Sequence, residues 1–245
     1  DYPAYTGRED ETLHNVGDLS VPAGTQAQWR LQLENTRRVM ASFHDTTYRL
    51  QARNDELRFS RTFMKSNTYF LLAAKEYVRR QDSIRYRVSV TPDAYPSVVV
   101  SQEQDSAQTL RRYFSGKASD DYGISQAQFV YQVQRDGVQK PEATQTVRLD
   151  IEGGQLTPIF HLFDLSKLDL GPGDEVTYYF RVWDNDAING RKSARSQTFR
   201  YNAPTTEELA EKAEATSKQV QQAMQSAAQE AARLGQVVGV GGAAG

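Results

Sequence analysis

Two short acidic runs hold the side chains of this chain best suited to chemistry. One is Asp120-Asp121-Tyr122-Gly123; the other is Asp184-Asn185-Asp186, followed by Asn189. Carboxylate and amide oxygens at this density are the donors a hard cation uses, and Ca²⁺ takes about six to eight of them. The same residues also serve a plainer purpose, because Asp and Asn side chains fold back on their own backbone to close turns. The helix-loop-helix calcium phase fails in the second run: Ile188 stands at a ligand position and no Glu follows at the twelfth. The expectation is therefore structured turns with no metal and no other cofactor. Asp120, Asp121, Asp184 and Asp186 remain as the Ca²⁺ candidates.

Other chemistries find less support. There is no cysteine, which removes disulfides, thiol catalysis and thiolate metal sites. His14, His44 and His161 lack the helical pairing of a zinc hydrolase and read as surface or turn residues. No nucleophile elbow, phosphate loop or dinucleotide fingerprint occurs. A carboxylate pair for glycoside hydrolysis needs only spatial proximity, and no pair stands out. An enzyme is thus the least favoured class. The net charge of −2 gives no field toward nucleic acid. The doublets Arg37-Arg38, Arg79-Arg80 and Arg111-Arg112 read as solvated strand ends or turns. No apolar run has spanning length. The start at Asp1 without a Met reads as a mature or excised fragment, so any membrane attachment is expected in regions absent from this chain.

Strands must position these runs. From Ala27 to Glu34, Ala27, Trp29, Leu31 and Leu33 alternate with Gln28, Arg30, Gln32 and Glu34, the pattern of a strand with one face on a core. Further strands are expected at 47–52, 56–63, 69–73 and 83–90. Thr91 to Pro96, with two prolines, reads as a stiff crossing. Beyond it, strands are expected at 97–100, 126–134 and 147–151, with a mixed stretch and a short helical turn between Phe160 and Leu170. The segment Val176 to Tyr201 reads as a hairpin. Val176, Tyr178, Phe180 and Val182 share one face, and Trp183 should point away from Val182. After Pro204, Thr205 and Glu208 form a capping box, opening a helix of about 28–30 residues. Its seam, including Leu209, Val220, Met224 and Leu234, steps by fours and threes.

The expected fold is mainly β: two tandem immunoglobulin-like (fibronectin-III-like) β-sandwiches followed by a C-terminal α-helix. Residues 1–94 form the first sandwich as a divergent copy, 95–203 the second, 204–236 the Ala-rich amphipathic helix and 237–245 a Gly-rich flexible tail. Two internal matches suggest duplication. Residues 82–90 match 174–182 at an offset of 92, and 35–39 match 120–124 at an offset of 85.

The Asp120-Asp121-Tyr122-Gly123-Ile124 turn, the Tyr178-to-Ser196 hairpin and the Thr/Glu-rich helix start together resemble a bacterial family of unknown function. Arg191 stands where that pattern has Pro. The resemblance covers about residues 95–235, and the first sandwich joins it only as a divergent repeat. It implies large, Bacteroidota-type envelope proteins with N-terminal membrane helices, immunoglobulin-like repeats and long coiled-coil segments. It implies a periplasmic or cell-surface location and no activity. The expected role is a non-enzymatic structural or protein-interaction segment. The loop surface would be Trp183, Asp184, Asn185, Asp186, Asn189 and Arg191, and the partner would be a protein or a second copy engaged through the helix. The alternative is a carbohydrate-binding or adhesive module using Tyr2, Tyr5, Tyr95, Tyr113, Tyr122 and Tyr179.

Overall fold

The computed structural model of the chain describes residues 1–34, 36–74, 83–104, 110–188 and 190–240. Seven strands make the first sandwich: β1 (Leu19–Pro22), β2 (Thr25–Gln32), β3 (Arg38–Phe43), β4 (Thr47–Gln51), β5 (Glu56–Phe63), β6 (Asn67–Ala74) and β7 (Ser83–Thr91). One sheet runs β1-β7-β6-β3-β4, with β1 parallel to β7; the other is the pair β2-β5. The alternation around Trp29 folds as expected. Trp29 is buried, stacks on Phe59 with ring centroids 4.6 Å apart, and donates from Nε1 to the Tyr69 hydroxyl at 3.0 Å. Tyr69 passes its own proton to the Gly17 carbonyl at 2.8 Å, so the polar atoms of this aromatic core are paired.

The second sandwich comprises β8 (Ser97–Gln104), β9 (Arg111–Gln134), β10 (Gln145–Leu149), β11 (Gly154–Asp164), β12 (Glu175–Asp184), β13 (Ser193–Arg195) and β14 (Phe199–Asn202). Strand β9 belongs to both layers. Up to Ser119 it pairs with β8 and β11; from Ile124 onward it pairs with β10 and β12. The chain changes sheets at Asp120–Gly123, where Gly123 adopts φ +139°, a backbone state that favours glycine. The expected face of β12 is the heart of this core: Val176, Tyr178, Phe180 and Val182 are all fully buried.

If the two halves of β9 count as second and third strands, both sandwiches share one order from the second strand to the sixth. The first strand differs, β1 lying parallel to β7 and β8 antiparallel to the first half of β9. The third strand pairs with the fourth and sixth, and the second pairs with the fifth. That order, in two facing layers, is the immunoglobulin-like sandwich. It also corrects the match at an offset of 92, which equates β7, a seventh strand, with β12, a sixth; the counterpart of β12 is β6. The match at an offset of 85 does join equivalent connections, both running from second to third strand. Helix α1 (Thr206–Val240) follows, capped as expected: Glu208 N donates to Thr205 Oγ1 at 3.2 Å and Thr205 N to Glu208 Oε2 at 3.0 Å. It continues through Gly235, so residues 237–240, assigned to the tail, are helical.

Several strands were not anticipated, among them β3, β11 and the first half of β9. In β11 the outward positions Leu156, Pro158, Phe160 and Leu162 are as apolar as the inward ones, which erases the alternation. Its inward row contains His161, which is no turn residue. It packs 4.4 Å from the Phe129 ring, and burial lowers its pKa. Arg111-Arg112 opens β9, and Arg111 is the exposed strand end expected, but Arg112 is buried, with its guanidinium 5.1 Å from the Tyr201 ring. Arg38 is exposed at the start of β3, as expected, and Arg79-Arg80 lies outside the described residues.

Candidate functional site at the junction of the sandwiches

The two acidic runs meet in space. Asp184 pairs with Ile124 across β12 and β9, after a register shift that follows Trp183. That pairing sets the Asp120–Gly123 turn beside the loop leaving β12. The crossing from β7 to β8 lies against both, through Asp93 and Ala94.

Three of the acids close turns, while Asp121 Oδ2 accepts from the Ala94 amide of the crossing at 3.4 Å. Asp120 Oδ2 accepts from the amides of Tyr122 (3.1 Å) and Gly123 (2.8 Å). Asp184 Oδ1 accepts from the amides of Asp186 (3.3 Å) and Lys192 (3.0 Å), and Asp186 Oδ1 from that of Ile188 (2.9 Å). The expected folding-back onto local backbone is therefore present for Asp120, Asp184 and Asp186, whereas Asn185 reaches backbone distant in sequence. Lys192 Nζ bonds Asp93 Oδ2 and lies 3.7 Å from Asp184 Oδ2. Asp93 is only 3% exposed at its side chain. Burial pushes its carboxyl up to about 6; Lys192 opposes that rise, while Asp121 and Asp184 add to it. Burial also raises the pKa of Asp184, against the pull of the Lys192 amide and ammonium.

A third segment, distant in sequence, completes the junction. The 3₁₀ turn Ala4–Thr6 places the buried Tyr5 against the edge of the Tyr122 ring, with centroids 5.0 Å apart. Tyr5 donates its hydroxyl to the Ala23 carbonyl at 2.6 Å, while its own carbonyl accepts from Asn185 Nδ2 at 3.0 Å. Asn185 Nδ2 also reaches the Tyr122 carbonyl at 3.2 Å. A segment beside the first sandwich thus hydrogen-bonds a loop of the second.

This placement revises the loop surface expected from sequence. Asp184 and Asp186 are fully buried and face inward, Trp183 and Asn185 are half-buried, and Arg191 is exposed. Trp183 does point away from Val182, with the Arg181 guanidinium 4.9 Å from its ring. Asn189 lies outside the described residues. Asp93, Lys192 and Tyr5 were missed, because nothing local marks a linker Asp or an N-terminal Tyr as a junction residue. Two prolines around Asp93 were the only signal available.

The helical seam is elsewhere. Side chains from Thr205 to Ala231 are exposed throughout, Leu209, Val220 and Met224 among them; the Leu234 side chain lies outside the described residues. The six tyrosines do not make one platform. Tyr5 and Tyr122 are in the junction, Tyr2 bonds Glu11, Tyr179 lies under Arg195, and Tyr95 and Tyr113 are exposed at separate places. Tyr113 lines a shallow groove of about 390 Å³ with Glu103, Ser115, Phe160 and Leu162. Among the described residues no helix is long and apolar enough to cross a membrane.

Solved structures similar to this chain match it at low identity. The fibronectin(III)-like modules of Clostridium thermocellum CbhA share 14% identity over 78% of this chain and 90% of theirs, with a TM-score of 0.28. The mouse nectin-like molecule 4 ectodomain (Ig1–Ig3) shares 13% over 78% of this chain and 67% of its own, at 0.25. Trypsin-activated alpha-2-macroglobulin from Escherichia coli shares 7% over 78% of this chain and 15% of its own, at 0.30. The fold assignment stands on the strand order above and not on these scores. No curated protein matches the chain. One family model does, over residues 1–160: the first sandwich, the Asp120–Gly123 turn and β9 to the middle of β11. That span takes in the sandwich read as divergent and stops short of the β12 hairpin. With about two thirds of its length matched, the chain belongs to the family described as "Domain of unknown function (DUF4175)".

Proposed function

We propose that this chain is a non-enzymatic spacer and protein-interaction segment of a larger bacterial envelope protein, acting in the periplasm or at the cell surface. Its two sandwiches form a stiff base, and α1 leaves that base to pair with a second copy of itself. The observation that carries this reading is the exposure of α1. At about 1.5 Å per residue the helix reaches roughly 50 Å, and Leu209, Val220 and Met224 stay in water along one seam. Isolated helices gain little from propensity alone, so packing an apolar seam is the usual source of their stability. The envelope location follows from the resemblance to membrane-anchored proteins with immunoglobulin-like repeats.

The test is sedimentation of the whole chain beside Val220→Lys/Met224→Lys. Wild-type protein should associate at micromolar concentration and the double variant should sediment as a monomer. Equal sedimentation of both would overturn the pairing. A second reading, carbohydrate recognition, draws on the exposed Tyr113 and Phe160 beside the groove. It predicts glycan-array binding that Phe160→Ala abolishes.

A further inference from the structure

The junction contains more oxygen than the protein's own donors satisfy. Among the described residues, no protein group hydrogen-bonds Asp93 Oδ1, Asp120 Oδ1, Asp184 Oδ2 or Asn185 Oδ1, though each atom is buried. The Asp93 and Asp184 side chains are 3% and 0% exposed. An unpaired buried oxygen is costly, and a cluster of them calls for a counter-charge. Carboxylate oxygens of Asp93, Asp120 and Asp121 lie within 4.8 Å of one another. Ligands held at about 2.4 Å from one Ca²⁺ ion can be up to about 4.8 Å apart. Asp121 is exposed, which gives an ion a way in from solvent.

We propose that Asp93, Asp120 and Asp121 bind a Ca²⁺ ion, with the Asp184 and Asn185 side chains at its flank, so that one ion ties the inter-sandwich crossing to the second sandwich. Asp93 offers Oδ1, since Oδ2 is engaged by Lys192; Asp120 offers Oδ1, since Oδ2 closes its own turn. The Lys192 ammonium is a tethered competitor, satisfying part of the negative charge when calcium is scarce. Mg²⁺ is a poor substitute, because it demands a tighter octahedron and keeps its waters. The site is independent of what α1 does.

The test uses the whole chain freed of metal with chelator. At about 100 times its Kd, Ca²⁺ should raise Tm by roughly 5–10 °C, and Mg²⁺ should raise it much less. Tb³⁺, a Ca²⁺ surrogate excited through nearby Tyr5 and Tyr122, should show sensitised emission that Ca²⁺ displaces. Asp121→Asn, an exposed change that leaves both cores intact, should weaken Tb³⁺ binding about tenfold, and Asp93→Asn/Asp120→Asn should abolish it. Lys192→Met should tighten it. Identical Tm in chelator and Ca²⁺, or Tb³⁺ emission unchanged in Asp121→Asn and in the double variant, would overturn the proposal and leave water as the partner of these oxygens.

Discussion

Asp174 illustrates how single side chains hold the second sandwich together away from the junction. It is buried at the turn into β12 and accepts from Arg135 Nη1 (2.7 Å), Gly171 N (2.8 Å) and Asp136 N (2.9 Å). Burial alone would raise its pKa. The Asp136 and Gly171 amides and the Arg135 guanidinium outweigh burial and hold the carboxyl below the usual range. A carboxyl depressed in the fold stabilises above its unfolded pKa of about 4, and that contribution is lost as pH falls through the folded value. Asp174→Asn should therefore cost about 1–3 kcal/mol near pH 7. The gap from wild type should close as pH drops below about 4, which urea unfolding at the two pH values would measure. Tyr69→Phe is a second case. It leaves Trp29 Nε1 without its acceptor and the Gly17 carbonyl without its donor, for a loss of about 1–3 kcal/mol in the same assay.

At the scale of elements, β8 is fastened by close backbone approach. A Cβ on Gly116 would sit 2.3 Å from the Val99 carbonyl oxygen and 2.7 Å from the Val100 Cα. Neither backbone atom can yield without β8 moving. Gly116→Ala should therefore destabilise by about 1–3 kcal/mol, read as a lower urea midpoint with an unchanged slope. Helix α1 is the opposite case: deleting residues from 206 onward should leave the Tm of the sandwiches unchanged. The same contrast explains what the sequence disclosed. Strands with one wet face, β2 and β12, were legible because polar and apolar residues alternate along them. The capping box announced α1 for the same local reason. Strand β11 hid behind its apolar outer row, and the first half of β9 hid behind Arg112, an inward-facing charge resting on Tyr201. The acidic runs were visible as oxygen-rich turns. Their convergence was not, because it depends on β9 crossing between sheets and on a register shift in β12.

For the molecule as a whole, Tyr5 is a contact point between the two sandwiches, bonded to Ala23 in one and packed on Tyr122 in the other. Tyr5→Ala removes the ring packed on Tyr122 while leaving both aromatic cores untouched. Small-angle scattering should then give a larger radius of gyration and a broader distance distribution than wild type. An unchanged profile would mean that the crossing at Thr91–Pro96 sets the angle alone. The bond from Asn185 to the Tyr5 carbonyl also spans 180 residues of sequence. Chain closure over such a length is slow, and domains made on the ribosome tend to fold in the order they emerge. The first sandwich can complete its core while Asn185 has yet to be translated. The Asn185 bond to the N-terminal turn can close only once the loop after β12 has been made, so the seal between the two sandwiches forms later than the core of the first.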